Sequence, residues 1–268
     1  MSPKTAEISP DPEAAYDLIA SHYDGFTAHH DYESWLAALL PALEAHGLSG
    51  DRMLDAGCGT GKSSLPMVDR GWQVTACDNS TEMLRRLRAK AGYRLRIELA
   101  DLRDMPVLGS FDLILSLGDV LNYCAVATPL ETTLRGLAAN LAPEGLLLFD
   151  LNTVATYRTF YAEVQEAEVD GHRISWRGRG DGSAEAGTLA EAVMEIAAPG
   201  SAPVTTALHR QRHLGEAEVR RAMAGAGLEC LDVFGHGFDG VLEQPVDEFR
   251  HTKTIYIARV QFHEEKRR

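Results

Sequence analysis

The chain has 268 residues, 45% of them hydrophobic, and a formal net charge of −13 with histidine neutral. That length and apolar content fit one large α/β domain, or one domain with an insertion. The acidic balance argues against wrapping a nucleic acid, and no apolar run approaches the roughly 18 to 20 residues that cross a bilayer.

The polar start, residues 1–14, reads as a flexible leader without a signal-peptide core. Helices are expected over 11–24 and 32–46, and a short apolar strand over 52–56. A helix over 62–70 ends at Gly71, and a strand follows over 73–77. Asn79, with Glu82 three residues on, reads as a capping box that opens a helix running to Lys90. Strands are expected over 96–100 and 111–117, a helix over 129–141, and a fifth strand over 146–150. Beyond Asn152 the pattern changes to antiparallel strands over 172–179, 188–197 and 204–213, joined by glycine- and proline-rich turns. A helix over 216–226 and strands over 228–234 and 254–260 close the sheet.

Apolar strands alternating with helices imply a mainly parallel sheet covered on both faces. The expected organisation is a core over 15–152, an antiparallel β insertion over 153–213, the end of the core over 214–262 and a charged tail over 263–268. Arg85, Arg86, Arg88 and Lys90 read as a solvated helix face, and Lys266, Arg267 and Arg268 as a frayed end. Cys58, Cys77, Cys124 and Cys230 lack C-x-x-C spacing. They read as reduced thiols of a cytoplasmic protein, with neither a disulfide frame nor a metal site.

The strongest local signal is Leu54-Asp55-Ala56-Gly57-Cys58-Gly59-Thr60-Gly61, a strand running into a glycine turn and a helix. Such a turn lets a ligand lie against bare backbone at the carboxyl end of a strand. A phosphate-binding P-loop would need glycine where Ala56 stands, and the dinucleotide fingerprint would need glycine or alanine where Lys62 stands. Glycines at 57, 59 and 61 after an acid at 55 instead resemble the D-x-G-x-G-x-G motif of the class I S-adenosylmethionine-dependent methyltransferases. Asp78 and Asp101 stand at the tips of the next two strands, so three acids would line one edge of one pocket. Asp78 can accept both ribose hydroxyls, Asp101 the adenine amino group, and Leu102 can offer a backbone donor to a ring nitrogen.

The resemblance extends over roughly 15–262. It includes Cys77-Asp78-Asn79-Ser80 with Met83, Ala100-Asp101-Leu102-Arg103-Asp104-Met105-Pro106, Phe111-Asp112-Leu113-Ile114 and Leu141-Ala142-Pro143-Glu144-Gly145-Leu146. Tyr16-Asp17 and Tyr23-Asp24 are similar to the family's N-terminal lid helix. Leu117 to Tyr123, Phe149-Asp150-Leu151-Asn152, His209-x-x-Arg212 and Thr254-Ile255-Tyr256 resemble a small-molecule branch that includes the sugar N,N-dimethyltransferases of antibiotic pathways. The resemblance implies a Rossmann-like, seven-stranded, mainly parallel sheet with its last strand antiparallel, lid helices, and the β insertion as substrate lid or dimer contact.

It also implies a cofactor site of Tyr16, Tyr23, Asp55, Ala56, Gly57, Cys58, Gly59, Asp78, Asn79, Met83, Asp101, Leu102, Leu117 and Asn122 for S-adenosyl-L-methionine, with S-adenosyl-L-homocysteine as product. The loop Gly118–Tyr123 is expected as the active-site floor. Asp119 is expected to orient the acceptor or face the cofactor's charge, and Asn122 to bridge cofactor and acceptor; turn chemistry is the other reading of both. His209, His213 and the residue between them at 211 share one strand face, histidine suits a base near neutral pH, and the branch resemblance implies His209 in that role; two surface histidines are the other reading, and a metal reading of the pair lacks a third ligand. Tyr123, Asn152, Trp176, Arg212, His213 and His236 complete the expected substrate side. The function expected is methyl transfer to a nitrogen or oxygen, less readily carbon, of a small molecule, with neither nucleic acid nor membrane as partner and a homodimer through the insertion. A non-catalytic cofactor-binding protein and an NAD-dependent oxidoreductase are the alternatives.

Overall fold

A computed structural model describes residues 12–198, 200–201, 205–237 and 240–261. The expected tail over 263–268 and most of the expected leader lie outside them, whereas 12–14 are already helical. Three helices come first: α1 (Pro12–Ile19), α2 (Tyr23–Phe26) and α3 (Tyr32–Ala45). The core alternates as β1 (Arg52–Ala56), α4 (Ser64–Asp69), β2 (Gln73–Asp78), α5 (Thr81–Ala91), β3 (Arg96–Leu99) and β4 (Phe111–Ser116). It continues through α6 (Val120–Ala127), α7 (Leu130–Ala138), β5 (Leu141–Asn152) and α8 (Val154–Arg158). An antiparallel unit follows, β6 (Val164–Val169), β7 (His172–Gly178), β8 (Leu189–Ala197) and β9 (Thr205–Arg212). The chain then returns through α9 (Glu216–Gly225), β10 (Leu228–His236), the two-residue β11 (Leu242–Glu243) and β12 (Lys253–Val260).

The main sheet has the order β11-β10-β12-β5-β4-β1-β2-β3, and β12 runs antiparallel to both neighbours. Seven of these strands match the expected sheet, and β11 extends it by a short edge. Alternation along each strand sorts its apolar residues to opposite faces. Leu54, Ile114, Leu147, Phe149 and Tyr256 pack with α6, α7 and α9. Met53, Leu113, Leu115, Leu148 and Ile257 pack with α3, α4 and α5.

The second sheet, β6-β7-β8-β9, carries one strand more than the sequence pattern suggested. β6 is exposed and half-buried in alternation, too polar to stand out, but it pairs with β7 across Asp170-Gly171, both at positive φ. Aspartate and glycine are the residues such a hairpin turn favours. This sheet packs its Ile174, Trp176, Ala192, Met194 and Ala207 against Ala15 and Ile19 of the lid helix α1 and against Tyr157 and Tyr161.

Other local expectations shift. The single helix over 11–24 breaks into α1 and α2. The cap of α5 is Ser80, whose Oγ accepts from Met83 N at 3.1 Å, rather than Asn79. Ser80 Oγ itself donates to Asp17 Oδ1 at 2.5 Å, which docks α1 on the start of α5.

Candidate functional site

The glycine turn lies at the carboxyl end of β1, held down by N–H donation from Gly57 and Cys58 to the Cys77 carbonyl at 2.8 and 2.9 Å. Gly57 sits at φ 81°, and a Cβ there would stand 2.6 Å from Val120, so only glycine fits. At Gly59, φ 52°, nothing lies within 4 Å of where a Cβ would stand. Bare backbone therefore faces a cleft also lined by Asp78, Asn79, Met83, Asp101, Leu102 and Leu117.

Asp55 and Ala56 do not line this cleft. Asp55 is buried beneath the turn and accepts from Ser63 Oγ at 2.6 Å and Ser64 Oγ at 2.5 Å, so it braces the loop. Burial, only partly offset by those hydroxyls, raises its carboxyl to about 6. Asp78 does reach the cleft, accepting from Gly59 N at 2.8 Å and Ser80 N at 2.9 Å. Burial raises its carboxyl above the ordinary value despite those donors. Asp101 lines the cleft with its carboxylate gripped by the Arg103 guanidinium at 2.9 and 2.5 Å; burial opposes ionisation, but Arg103 prevails and holds the group below its usual value. Tyr16 of α1 and Tyr23 of α2 roof the cleft, their rings 6.1 Å apart, so they meet across a helix junction and not along one helix.

A second cavity of about 650 Å³ adjoins the first, and Tyr16, Tyr23, Tyr32, Gly118 and Tyr123 line both. Its walls come from the lid helices, the start of α6, the second sheet and the start of β12. The expected floor loop is in fact short. Gly118 and Asp119 take positive φ, 91° and 57°, and the chain enters α6 at Val120. Asp150, fully buried, holds this kink by accepting from Gly118 N at 2.6 Å and Asp119 N at 3.0 Å.

Asp119 lines the cavity but is not free: Lys253 Nζ sits 2.7 Å from its Oδ1, and Gln211 Nε2 donates to its Oδ2. Lys253 also reaches Asp150 at 2.8 Å. His209 lines the cavity, 1% exposed, with Nδ1 2.9 Å from the Tyr123 hydroxyl and Nε2 unpartnered. Burial lowers its imidazole to about 4, opposed by Asp119, so the ring is neutral at pH 7. Trp176 packs 5.0 Å from the His209 ring and donates Nε1–H to the Phe160 carbonyl at 3.0 Å. Asn152 and His236 line the same cavity, His236 beside Trp35 at 5.5 Å.

Three further expected site residues lie elsewhere. Asn122 is wholly buried and lines neither cavity; its Nδ2 donates to the Arg212 carbonyl and its Oδ1 accepts from Asn152 N, both at 2.9 Å. Arg212 points to Glu218 at 2.8 Å. His213 falls one residue past β9, where it accepts from Gly187 N at 3.1 Å and meets Glu248 at 3.0 Å. The shared face of 209, 211 and 213 thus serves different ends, because the strand stops before its third member.

The residues passed over are Tyr32, Lys253 and Gln211. Gln211 stood on the same predicted face as His209, and its amide drew no notice because it does not titrate. Lys253 opens β12 directly opposite Asn152, a register that only the assembled sheet supplies.

The sheet order, the antiparallel β12 and the glycine cleft at the carboxyl ends of β1, β2 and β3 define the Rossmann-like fold of the S-adenosylmethionine-dependent methyltransferases. Residues 53–145 match a family model described as a methyltransferase domain. In sequence the chain is similar to the methyltransferase-named YqeM of Bacillus subtilis, 33% identical over 141 residues, covering 52% of this chain and 56% of that protein. It is also similar to the cypemycin N-terminal methyltransferase of a Streptomyces species, 28% identical over 227 residues, covering 82% and 86%. The chain spans only 56% and 59% of YqeM and of a Geobacillus relative, a little over half of each. Among solved structures, an S-adenosylmethionine-dependent methyltransferase from Clostridium acetobutylicum superposes with a TM-score of 0.74 at 20% identity, covering 91% of this chain and 98% of that one. DesVI of Streptomyces venezuelae does so at 0.68 and 18%, covering 90% and 98%.

Proposed function

We propose that the chain is an S-adenosylmethionine-dependent methyltransferase that transfers the methyl group to a nitrogen or oxygen of a small molecule. The observation that carries this reading is the shared wall. The glycine cleft and the 650 Å³ cavity meet at Tyr16, Tyr23, Gly118 and Tyr123, so a donor in one would face an acceptor in the other. The volume lies within the roughly 300–1,000 Å³ usual for small-molecule sites.

The residues of the cleft suit the cofactor. The open backbone at Gly59 is a cradle, and Asp78 keeps lone pairs for two ribose hydroxyls. Asp101 and Leu102 face the adenine end, and Met83 and Leu117 supply apolar walls. When bound, the cofactor supplies an electrophilic methyl group. The protein's share is alignment: reacting atoms must lie about 3 to 3.5 Å apart and in line, and the Gly118-Asp119 kink locked by Asp150 fixes the floor against which they align. His209, neutral and unpartnered at Nε2, accepts the hydrogen of the nucleophile; the Asp119 carboxylate favours the ring while it carries that proton. Tyr16 and Tyr23 exclude water from above.

Calorimetric titration of S-adenosylhomocysteine tests the reading, with NAD and ATP as controls and Asp78→Ala as the variant. Micromolar binding of S-adenosylhomocysteine alone is expected, weakened roughly 100-fold in the variant, since each hydrogen bond to a charged group contributes about 1.5–3 kcal/mol. Preference for NAD or ATP would overturn it.

A further inference from the structure

Building on that reading, we infer that the acceptor is a phosphate-free amine carried on an apolar, ring-bearing body, and that the cavity rejects anionic acceptors such as nucleotide-linked or phosphorylated molecules. The charge of the cavity is the first ground. Among the described residues that line it, Lys253 is the sole Lys or Arg, and its Nζ is committed to Asp119 and Asp150 at 2.7 and 2.8 Å. Asp31 and Glu163 add further negative charge. Burial holds His30 and His209 neutral, each lowered to about 4. The start of α3, a place where a helix dipole could hold an anion, is filled by its own Asp31, which accepts from Ser34 N at 3.1 Å. A phosphate entering here would meet like charge and find no guanidinium or free ammonium.

The second ground is a relay of amides that leaves an unpartnered acceptor in a residue of the cavity wall. Asp119 accepts from both Lys253 and Gln211, which orients Gln211 with Nε2 toward the carboxylate. Gln211 Oε1 must then accept, and it does so from Asn152 Nδ2 at 2.8 Å and from the Tyr157 hydroxyl at 3.3 Å. That fixes the Asn152 flip: Oδ1 is buried without a partner in a side chain 4% exposed that lines the cavity. His209 Nε2 is a second buried atom without a partner in a residue that lines the cavity. In the tautomer that donates Nδ1–H to the Tyr123 oxygen, it too is an acceptor. Two unpartnered acceptors in residues of the cavity wall favour a ligand that donates hydrogen bonds. A primary amine offers two N–H donors to these acceptors, where a phenol offers one. Trp176, Tyr16 and Phe160 line the cavity and give apolar area to the body of such an amine.

The test is binding, not turnover. Arylalkyl amines from phenethylamine to tryptamine are titrated calorimetrically into the protein, alone and saturated with S-adenosylhomocysteine. Carboxylates and phosphate esters of the same ring and chain, and the N,N-dimethyl amines, serve as matched probes. The primary amines are expected to bind at least about tenfold more tightly than their anionic counterparts. The dimethyl amines, short of donors, are expected to lose about tenfold, and Asn152→Ala to erase that difference. Should Asn152→Ala fail to fold, the wild-type series alone decides. Absence of amine binding, or anions binding as tightly, overturns the inference. A protein that binds amines over anions but not S-adenosylhomocysteine would sink the methyltransferase reading and leave the amine preference standing.

Discussion

Lys253→Met removes one charge from between two carboxylates and keeps the length of the stem. Lys253 stands opposite Asn152 at the junction of β12 and β5, and its Nζ lies 2.7 Å from Asp119 and 2.8 Å from Asp150. Removing one partner of a buried pair costs about 3–5 kcal/mol. The Asp119 side chain is 24% exposed, so water and Gln211 take up much of its loss, and that half contributes about 1 kcal/mol or less. Asp150 is wholly buried, but it keeps the N–H donors of Gly118 and Asp119. The total is therefore expected near the low end, about 3 kcal/mol. The deficit also has a pH signature. Burial already raises the Asp150 carboxyl above its ordinary value with Lys253 in place, although Lys253 opposes it. Without the lysine it rises further. A folded-state value above the unfolded one means that protons favour the native chain, so the deficit shrinks as pH falls from 8 toward 5. Urea denaturation of both proteins at the two pH values measures this. A variant within about 0.5 kcal/mol of wild type at pH 8, or a deficit of the same size at pH 5, would refute the argument.

Three further outcomes are expected. Asp55, raised to about 6 by burial, binds its proton more firmly when folded, so its contribution to stability grows as pH falls from about 7 to 4, by up to about 3 kcal/mol; Asp55→Asn removes that slope from the difference between the two denaturation curves, and a slope unchanged would place the titration elsewhere. Gly59→Val puts a β-branched side chain at φ 52° into open cleft; it should cost about 1–2 kcal/mol in stability and abolish S-adenosylhomocysteine binding, so retained affinity in calorimetry would show that the cleft is not the cofactor site. Ser80→Ala removes both the cap to Met83 N and the bond to Asp17, and should lower the unfolding free energy by about 1–2 kcal/mol while loosening α1, read as faster amide exchange in residues 12–19; exchange equal to wild type would show that Asp17 does not hold the lid.

What could be read ahead of the structure depended on whether a signal was local. The central strands β1, β2, β4 and β5 announced themselves because they are buried on both faces, and the glycine turn because its dihedrals admit few residues at Gly57 and Gly59. Asp78 and Asp101 were legible as strand-tip acids spaced by one strand-turn-helix unit. Asp55 carried the same signature and a different fate: nothing in the spacing distinguishes a carboxylate facing a ligand from one turned beneath the loop to meet Ser63 and Ser64. β6 escaped notice because an exposed edge strand has no apolar periodicity, and α6 because its start follows a left-handed Asp119 where a helix cap is unusual. Lys253 owes its place to the pairing of β12 with the distant β5, and Gln211 to the contacts of β9 with Asp119 and Asn152, which no spacing along the chain encodes.

Asn122 shows how the two sheets come to share one cavity. The sequence places it in the floor, where an amide could touch ligand; the structure gives both its polar ends to backbone. Its Oδ1 takes the N–H of Asn152, the residue at which the chain leaves the core sheet, and its Nδ2 reaches the carbonyl of Arg212, the residue at which the second sheet ends. One buried side chain on α6 thereby ties exit and return of the insertion to the element that carries Tyr123. His209 Nδ1 stands 2.9 Å from the Tyr123 hydroxyl, one residue along α6 from that clasp. A buried amide satisfied at both ends is lost only if two backbone groups are left unpaired, at about 1–3 kcal/mol each. Loss of Asn122 should therefore act first on the acceptor side of the cavity and spare the glycine turn and the strand-tip acids Asp78 and Asp101, which follow β1, β2 and β3.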